Sequence, residues 1–197
     1  MIEPQYEALV MGASAGGLSA LKFLLAGLPE QFSLRTAVVQ HIDAGSRSYL
    51  AEILAQDCRL AVTEAEDKAE FLPGTVYLAP PGYHMMVERD RSLSLSVDDK
   101  VNYCRPAIDP LFESAADTFG SALIGLVLTG ANKDGADGLQ YIRARGGRAI
   151  VQSPDSAQSP FMPRAALEAG PVDDIVPLSG IARLLSRLDG QGIAKPS

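Results

Sequence analysis

Residues 6–28 constrain this chain most. Residues 6–11 form a short apolar run, too short for a helix and suited to a buried strand. Gly12-Ala13-Ser14-Ala15-Gly16-Gly17 follows. Leu18, Leu21, Leu25 and Leu28 then recur at spacings of three and four, one face of a helix that Pro29 stops. The central glycines and Lys22 argue against a membrane span, and Glu3 and Glu7 ahead of the run argue against a signal peptide. The expected unit is strand, glycine turn, helix, in a cytoplasmic protein.

The same grammar continues. Residues 34–39 read as a second buried strand, ending in Gln40 and His41, residues 49–55 as helix and residues 60–62 as a weaker strand. Residues 75–79, 85–88 and 93–97 are short strands separated by Pro80-Pro81-Gly82 and Arg89-Asp90-Arg91, a spacing that predicts antiparallel hairpins. Asp109 offers an N-cap with Pro110 as the first helical residue, and Gly120 ends that helix. Residues 122–128 are the strongest buried strand. A turn over residues 129–135 leads into a helix carrying Leu139 and Ile142. A strand over 148–151, a helix opened by Pro163, a strand over 174–176 and a helix over 181–188 capped by Ser179 complete the pattern. The alternation predicts an α/β fold: one domain over residues 1–197, its sheet mostly parallel with an antiparallel pair near one edge. Lys195-Pro196-Ser197 are expected to fray.

Composition narrows function. The 197 residues are 47% hydrophobic and 21% charged, a globular profile, and their net charge of −7 argues against a nucleic-acid or anionic-membrane partner. Cys58 and Cys104 are too few for a disulfide scaffold and lack metal-ligand spacing, so they read as reduced thiols.

Gly12-Ala13-Ser14-Ala15-Gly16 fits the G-x-S-x-G nucleophile elbow, in which small neighbours let a sharp turn raise a serine at a helix N-terminus. Two other readings compete. A dinucleotide-binding turn would need glycine where Ser14 stands, and a purely structural turn stays open. A Walker A loop is excluded, because no lysine follows Gly17. His41 lies at the carboxyl end of its strand, the sheet edge where Ser14 also falls, whereas His84 lies between hairpin strands. Asp134, in the turn after residues 122–128, is the carboxylate placed at that edge. Asp43 is a rival, Asp137 is one turn farther on, and a helix-capping role for Asp134 remains an alternative. If Asp134 caps its own helix, asparagine should serve there nearly as well. Pattern and placement give Ser14, His41 and Asp134 as a triad.

These residues resemble those of the chemotaxis protein-glutamate methylesterases. Residues 10–17 look like that family's serine motif, Val38-Val39-Gln40-His41 like its histidine segment, residues 78–85 like its hairpin, and Arg105-Pro106-Ala107-Ile108-Asp109 like its RPxxD element. Leu128-Thr129-Gly130 with Asp134-Gly135-Ala136 resembles its aspartate loop, and residues 161–166 resemble a carboxyl-terminal family segment. The likeness implies a Rossmann-like, doubly wound catalytic domain. Its implied activity is hydrolysis of methyl esters on receptor glutamates, and some members also deamidate receptor glutamines. It carries the catalytic roles onto Ser14, His41 and Asp134, with no metal and no cofactor. The implied partner is a methyl-accepting chemotaxis receptor. Three departures stand out. Ala15 replaces a usual threonine. Ala131 replaces a usual methionine in the loop that lends the oxyanion hole. No receiver domain precedes the first strand, so the expectation is a chain that is either constitutively open or regulated in trans by a separate receiver protein. A broader esterase or amidase, or a receptor-binding scaffold without turnover, are the alternatives.

Overall fold

The computed structural model describes residues 6–42 and 49–190; Asp43 and Lys195-Pro196-Ser197 lie outside them. In chain order the strands are β1 (Ala8–Ala13), β2 (Arg35–Gln40), β3 (Ala61–Glu64), β4 (Thr75–Leu78), β5 (His84–Val87), β6 (Leu93–Ser96), β7 (Leu123–Val127), β8 (Arg148–Gln152) and β9 (Asp174–Val176). Seven of them form one sheet in the order β3-β4-β2-β1-β7-β8-β9, each neighbouring pair parallel. The side chains of β1 alternate between two cores. Ala8 and Val10 enter one, while Leu9, Met11 and Ala13 enter the other. Cover on both faces explains the unbroken apolar run in the sequence.

Helices α1 (Gly17–Ala26), α2 (Leu50–Ala55) and α6 (Leu178–Leu188) fill the face of Leu9 and Met11. Helices α3 (Ile108–Phe119), α4 (Ala136–Ala144) and α5 (Phe161–Ala169) fill the other. The fold is doubly wound. The chain steps from β1 to β2 on one side and returns through β7 on the other, so β1 and β7 flank a topological switch point, where such sheets bind ligands. Gly12 lets α3 seat closely there, since a Cβ on it would lie 2.5 Å from Ile108 Cγ2.

Four local expectations are corrected. Residues 75–79 do not enter a hairpin. They form β4, which pairs parallel through Thr36↔Val76 and Val62↔Val76. The antiparallel pair is β5–β6 alone, a sheet of its own packed on α3. Ala107, not Asp109, holds the N-cap of α3, which places Asp109 and Pro110 second and third in the helix. Proline is tolerated there because first-turn N–H groups have no intrahelical acceptor. Likewise Pro163 is the third residue of α5, and Pro177, not Ser179, takes the N-cap position of α6. Among the described residues no helix is long and apolar enough to cross a membrane.

Candidate active site

Three loops meet at the carboxyl edge of the sheet. Ser14 leaves β1 with its backbone fully tied. Its N–H donates to the Thr129 carbonyl at 2.9 Å, and its carbonyl accepts from the Gly17 N–H at 2.8 Å and Gln40 Nε2 at 3.0 Å. The Thr129 hydroxyl donates to the Ala15 carbonyl at 2.8 Å and accepts the Ser159 N–H at 2.8 Å. Gly16, at the N-cap of α1, has φ +79°, and a Cβ there would press on Gln158 at 2.7 Å, so this turn needs glycine. Within that frame Ser14 is half-buried, and its hydroxyl makes no hydrogen bond among the described residues. The N–H groups of Ala15 and Ala131 also have no acceptor among them.

His41 follows β2, anchored by its N–H to the Ala13 carbonyl at 3.0 Å. Its Nε2 lies 2.7 Å from Asp134 Oδ2. An ionised carboxylate only accepts, so Nε2 carries the proton and Nδ1 presents a lone pair. Asn132 Nδ2 lies 3.1 Å from that lone pair and Cys104 Sγ 3.7 Å from it.

Asp134, in the loop after β7, is fully buried, and both its oxygens are in use. Oδ2 accepts from His41 and from the Ile108 N–H at 2.6 Å. Oδ1 accepts from Asn102 Nδ2 at 2.9 Å and the Asp109 N–H at 3.3 Å. Asp134 therefore caps α3, not the α4 that follows it, whose N-cap position belongs to Gly135. Asp109 returns the favour across the crossing. From the first turn of α3 its Oδ1 accepts the N–H groups of Gly135 at 3.0 Å and Gly138 at 2.8 Å, capping α4. Asn102 Nδ2 bridges the two carboxylates, 2.8 Å from Asp109 Oδ2.

The two acids are driven in opposite directions. Burial, and then the charge of Asp134, push the Asp109 carboxyl up to about 6 against the hydrogen bonds from Gly138 and Asn102. Burial also acts to raise Asp134, but the hydrogen bonds from His41, Ile108 and Asn102, with the charge of His41, together hold it below the usual carboxylate range. An ionised carboxylate thus fixes the imidazole, and Ser14 stands on a rigid turn at the same sheet edge.

Residues 9–185 match the CheB methylesterase family. The chain belongs to that family. A Leptospira interrogans relative, provisionally named a protein-glutamate methylesterase/protein-glutamine glutaminase, is 48% identical over 184 residues, 93% of this chain and 95% of the relative. A protein-glutamate methylesterase/protein-glutamine glutaminase of Carboxydothermus hydrogenoformans is 41% identical over 88% of this chain and 53% of its own length. The methylesterase FrzG of Myxococcus xanthus is 40% identical over 92% of this chain and 54% of its own. The chain thus spans nearly all of the first relative and about half of the other two. The crystal structure of the Thermotoga maritima CheB methylesterase catalytic domain superposes with a TM-score of 0.89 at 33% identity, covering 93% of this chain and 99% of that one.

Within this CheB-family fold, His41 and Asp134 are in direct contact and Ser14 shares their edge without bonding to His41. His84 is elsewhere. It is buried, its Nδ1 accepts the Ala107 N–H at 3.2 Å, and its Nε2 donates to the Asp99 carbonyl at 3.0 Å, tying the β5–β6 hairpin to the start of α3. Asp137 is exposed on α4. Sequence reasoning missed Asn102, Cys104 and Asn132 as members of the site, and it read Asp109 as a cap and as the end of the RPxxD element without placing it there. The one available signal was the position of Asn102 and Cys104 just ahead of residues 105–109, which carry the RPxxD resemblance and end in Asp109.

Proposed function

We propose that this chain hydrolyses methyl esters of glutamate side chains on chemotaxis receptors, and receptor glutamine amides by the same route. The observation that carries this reading is the 2.7 Å contact between His41 Nε2 and the buried Asp134, which leaves the Nδ1 lone pair on the edge where Ser14 turns out of β1. Ser14 Oγ attacks the γ-carbonyl as Nδ1 takes its proton, and to do so the hydroxyl replaces the hydrogen bond that Asn132 makes to that nitrogen. The N–H groups of Ala15 and Ala131, which meet no acceptor among the described residues, receive the oxyanion. The imidazolium returns its proton to the leaving oxygen, methanol departs, and water attacking through His41 releases the acid. With glutamine, ammonia leaves instead. Asp134 holds the imidazole in its tautomer and balances its charge in the transition state.

The Leptospira relative supports the reading, since it carries both activities in its name and matches over nearly its whole length. A receptor as protein substrate, a separate receiver protein acting in trans and a cytoplasmic place of work follow as parts of the same proposal. The test is methanol release from methylated receptor by wild type and Ser14→Ala, with fluorophosphonate labelling of both. Release and labelling should vanish together in the variant. Labelling that persists in Ser14→Ala would reduce the elbow to a structural turn.

A further inference from the structure

Cys104, His41 and Asp134 place one sulfur, one nitrogen and one oxygen within 4.8 Å of one another. Cys104 Sγ lies 3.7 Å from His41 Nδ1. Asn132 Nδ2 completes a triangle, 3.1 Å from Nδ1 and 3.6 Å from Sγ. For these three separations, a point about 2 Å from all three atoms exists, the radius of a zinc coordination shell. A tetrahedral zinc would itself hold a sulfur and an imidazole nitrogen about 3.6 Å apart. Behind the ring, Asp134 accepts the Nε2 proton, the carboxylate–histidine arrangement that sets a metal-ligating imidazole.

We propose that Cys104 Sγ and His41 Nδ1, with the Asn132 side-chain amide as third corner, form an inhibitory site for a thiophilic divalent cation of the zinc class. Binding replaces the thiol proton with the metal–sulfur bond and releases that proton to solvent. It also places the metal on the Nδ1 lone pair. The Asn132 amide turns to offer its oxygen, giving up the hydrogen bond that Oδ1 accepts from the Asp134 N–H at 3.1 Å. Neutral Cys104 otherwise stays a thiol, because burial and the charge of Asp134 push it up. Cys58 has no such neighbours among the described residues, and both nitrogens of His84 are engaged.

That the cation inhibits rests on His41 being the base, whereas that it binds does not. Binding is therefore read directly, by titrating the purified chain with cobalt(II) for a thiolate charge-transfer band and with zinc by calorimetry. One cation per chain is expected in wild type, Cys58→Ala and Ser14→Ala. Cys104→Ala, and the conservative Cys104→Ser, should lose the cobalt band and weaken zinc at least about tenfold, with far-UV circular dichroism confirming the fold. Asn132→Asp, which supplies an oxygen at the third corner, should tighten zinc. In the hydrolysis assay zinc should inhibit reversibly on chelation, and each variant is compared with its own zinc-free rate. A cobalt band that survives in Cys104→Ala, or equal zinc affinity in wild type and Cys104→Ala, would overturn the site. Weaker zinc binding by Asn132→Asp would overturn the three-cornered geometry. Binding without inhibition would leave the site standing and remove His41 from the role of base.

Discussion

The two ends of the site are built on different terms. Around Asp134 everything is closed: the carboxylate is fully buried and four donors occupy its two oxygens. Around Ser14 only the backbone is fixed, while the hydroxyl stands half-exposed and unbonded among the described residues. The difference separates the group that must be preorganised from the group that must move. An orienting carboxylate works by being in place beforehand. A nucleophile already held by a strong hydrogen bond would have to break it before reaching substrate.

Ser14→Ala should sharpen this contrast most. Methanol release should fall roughly 10⁴-fold or more, while urea unfolding stays within about 0.5 kcal/mol of wild type, as befits a hydroxyl that bonds to none of the described residues. A large stability loss would show that the Ser14 end is as closed as the other. Asp134→Asn should behave in the opposite manner. Turnover should drop roughly 10²-fold or more. In addition, the amide NH2 faces donors on every side, so stability should fall by about 1–3 kcal/mol. The sequence suggested that asparagine would be harmless here as a cap. The structure removes that expectation, because the cap serves α3 and uses both oxygens.

Asp109 gives a smaller effect, visible in pH. Its folded carboxyl is raised to about 6, above its unfolded value near 3.9. Its contribution to stability is therefore complete below about pH 4 and is lost as pH rises through 6. Asp134 is depressed, so its contribution is present above the ordinary carboxylate range and disappears only as pH falls below it. Urea midpoints measured from pH 4 to 7 should show a decline that Asp109→Asn flattens, and an unchanged slope would uncouple the pair. The smallest effect on turnover belongs to His84→Ala. It should cost about 1–3 kcal/mol of stability through the unsatisfied Ala107 N–H, while methanol release at 25 °C stays within about tenfold of wild type. A dead His84 variant with a normal melting curve would move the base to the hairpin.

The legible parts of the fold were those with local causes. The buried β1 run, the left-handed Gly16 turn and the leucine stripe of α1 are each encoded within a few residues. β4 was read as a strand because four apolar residues sit between turn signals, but whether it runs parallel is decided by β2 and β3, whose pairing residues lie far off in sequence. Ser14, His41 and Asp134 could be placed together because each follows a strand and parallel strands share one edge. Asn102, Cys104 and Asn132 could not. Their partners lie up to 91 residues away, and the closeness of Asn102 and Cys104 to the RPxxD element assigns neither of them a partner.

The crossed caps have a consequence for the life of the molecule. Asp134 reaches its working position only when the start of α3 and the start of α4, with partners 25 residues apart, have docked against each other. A nascent or heat-loosened chain can possess the serine turn and still lack an aligned base. On the proposed mechanism, competence to cleave thus depends on completed assembly. On heating, hydrolysis should be extinguished before the helices themselves are lost, so a damaged copy falls silent rather than acting indiscriminately.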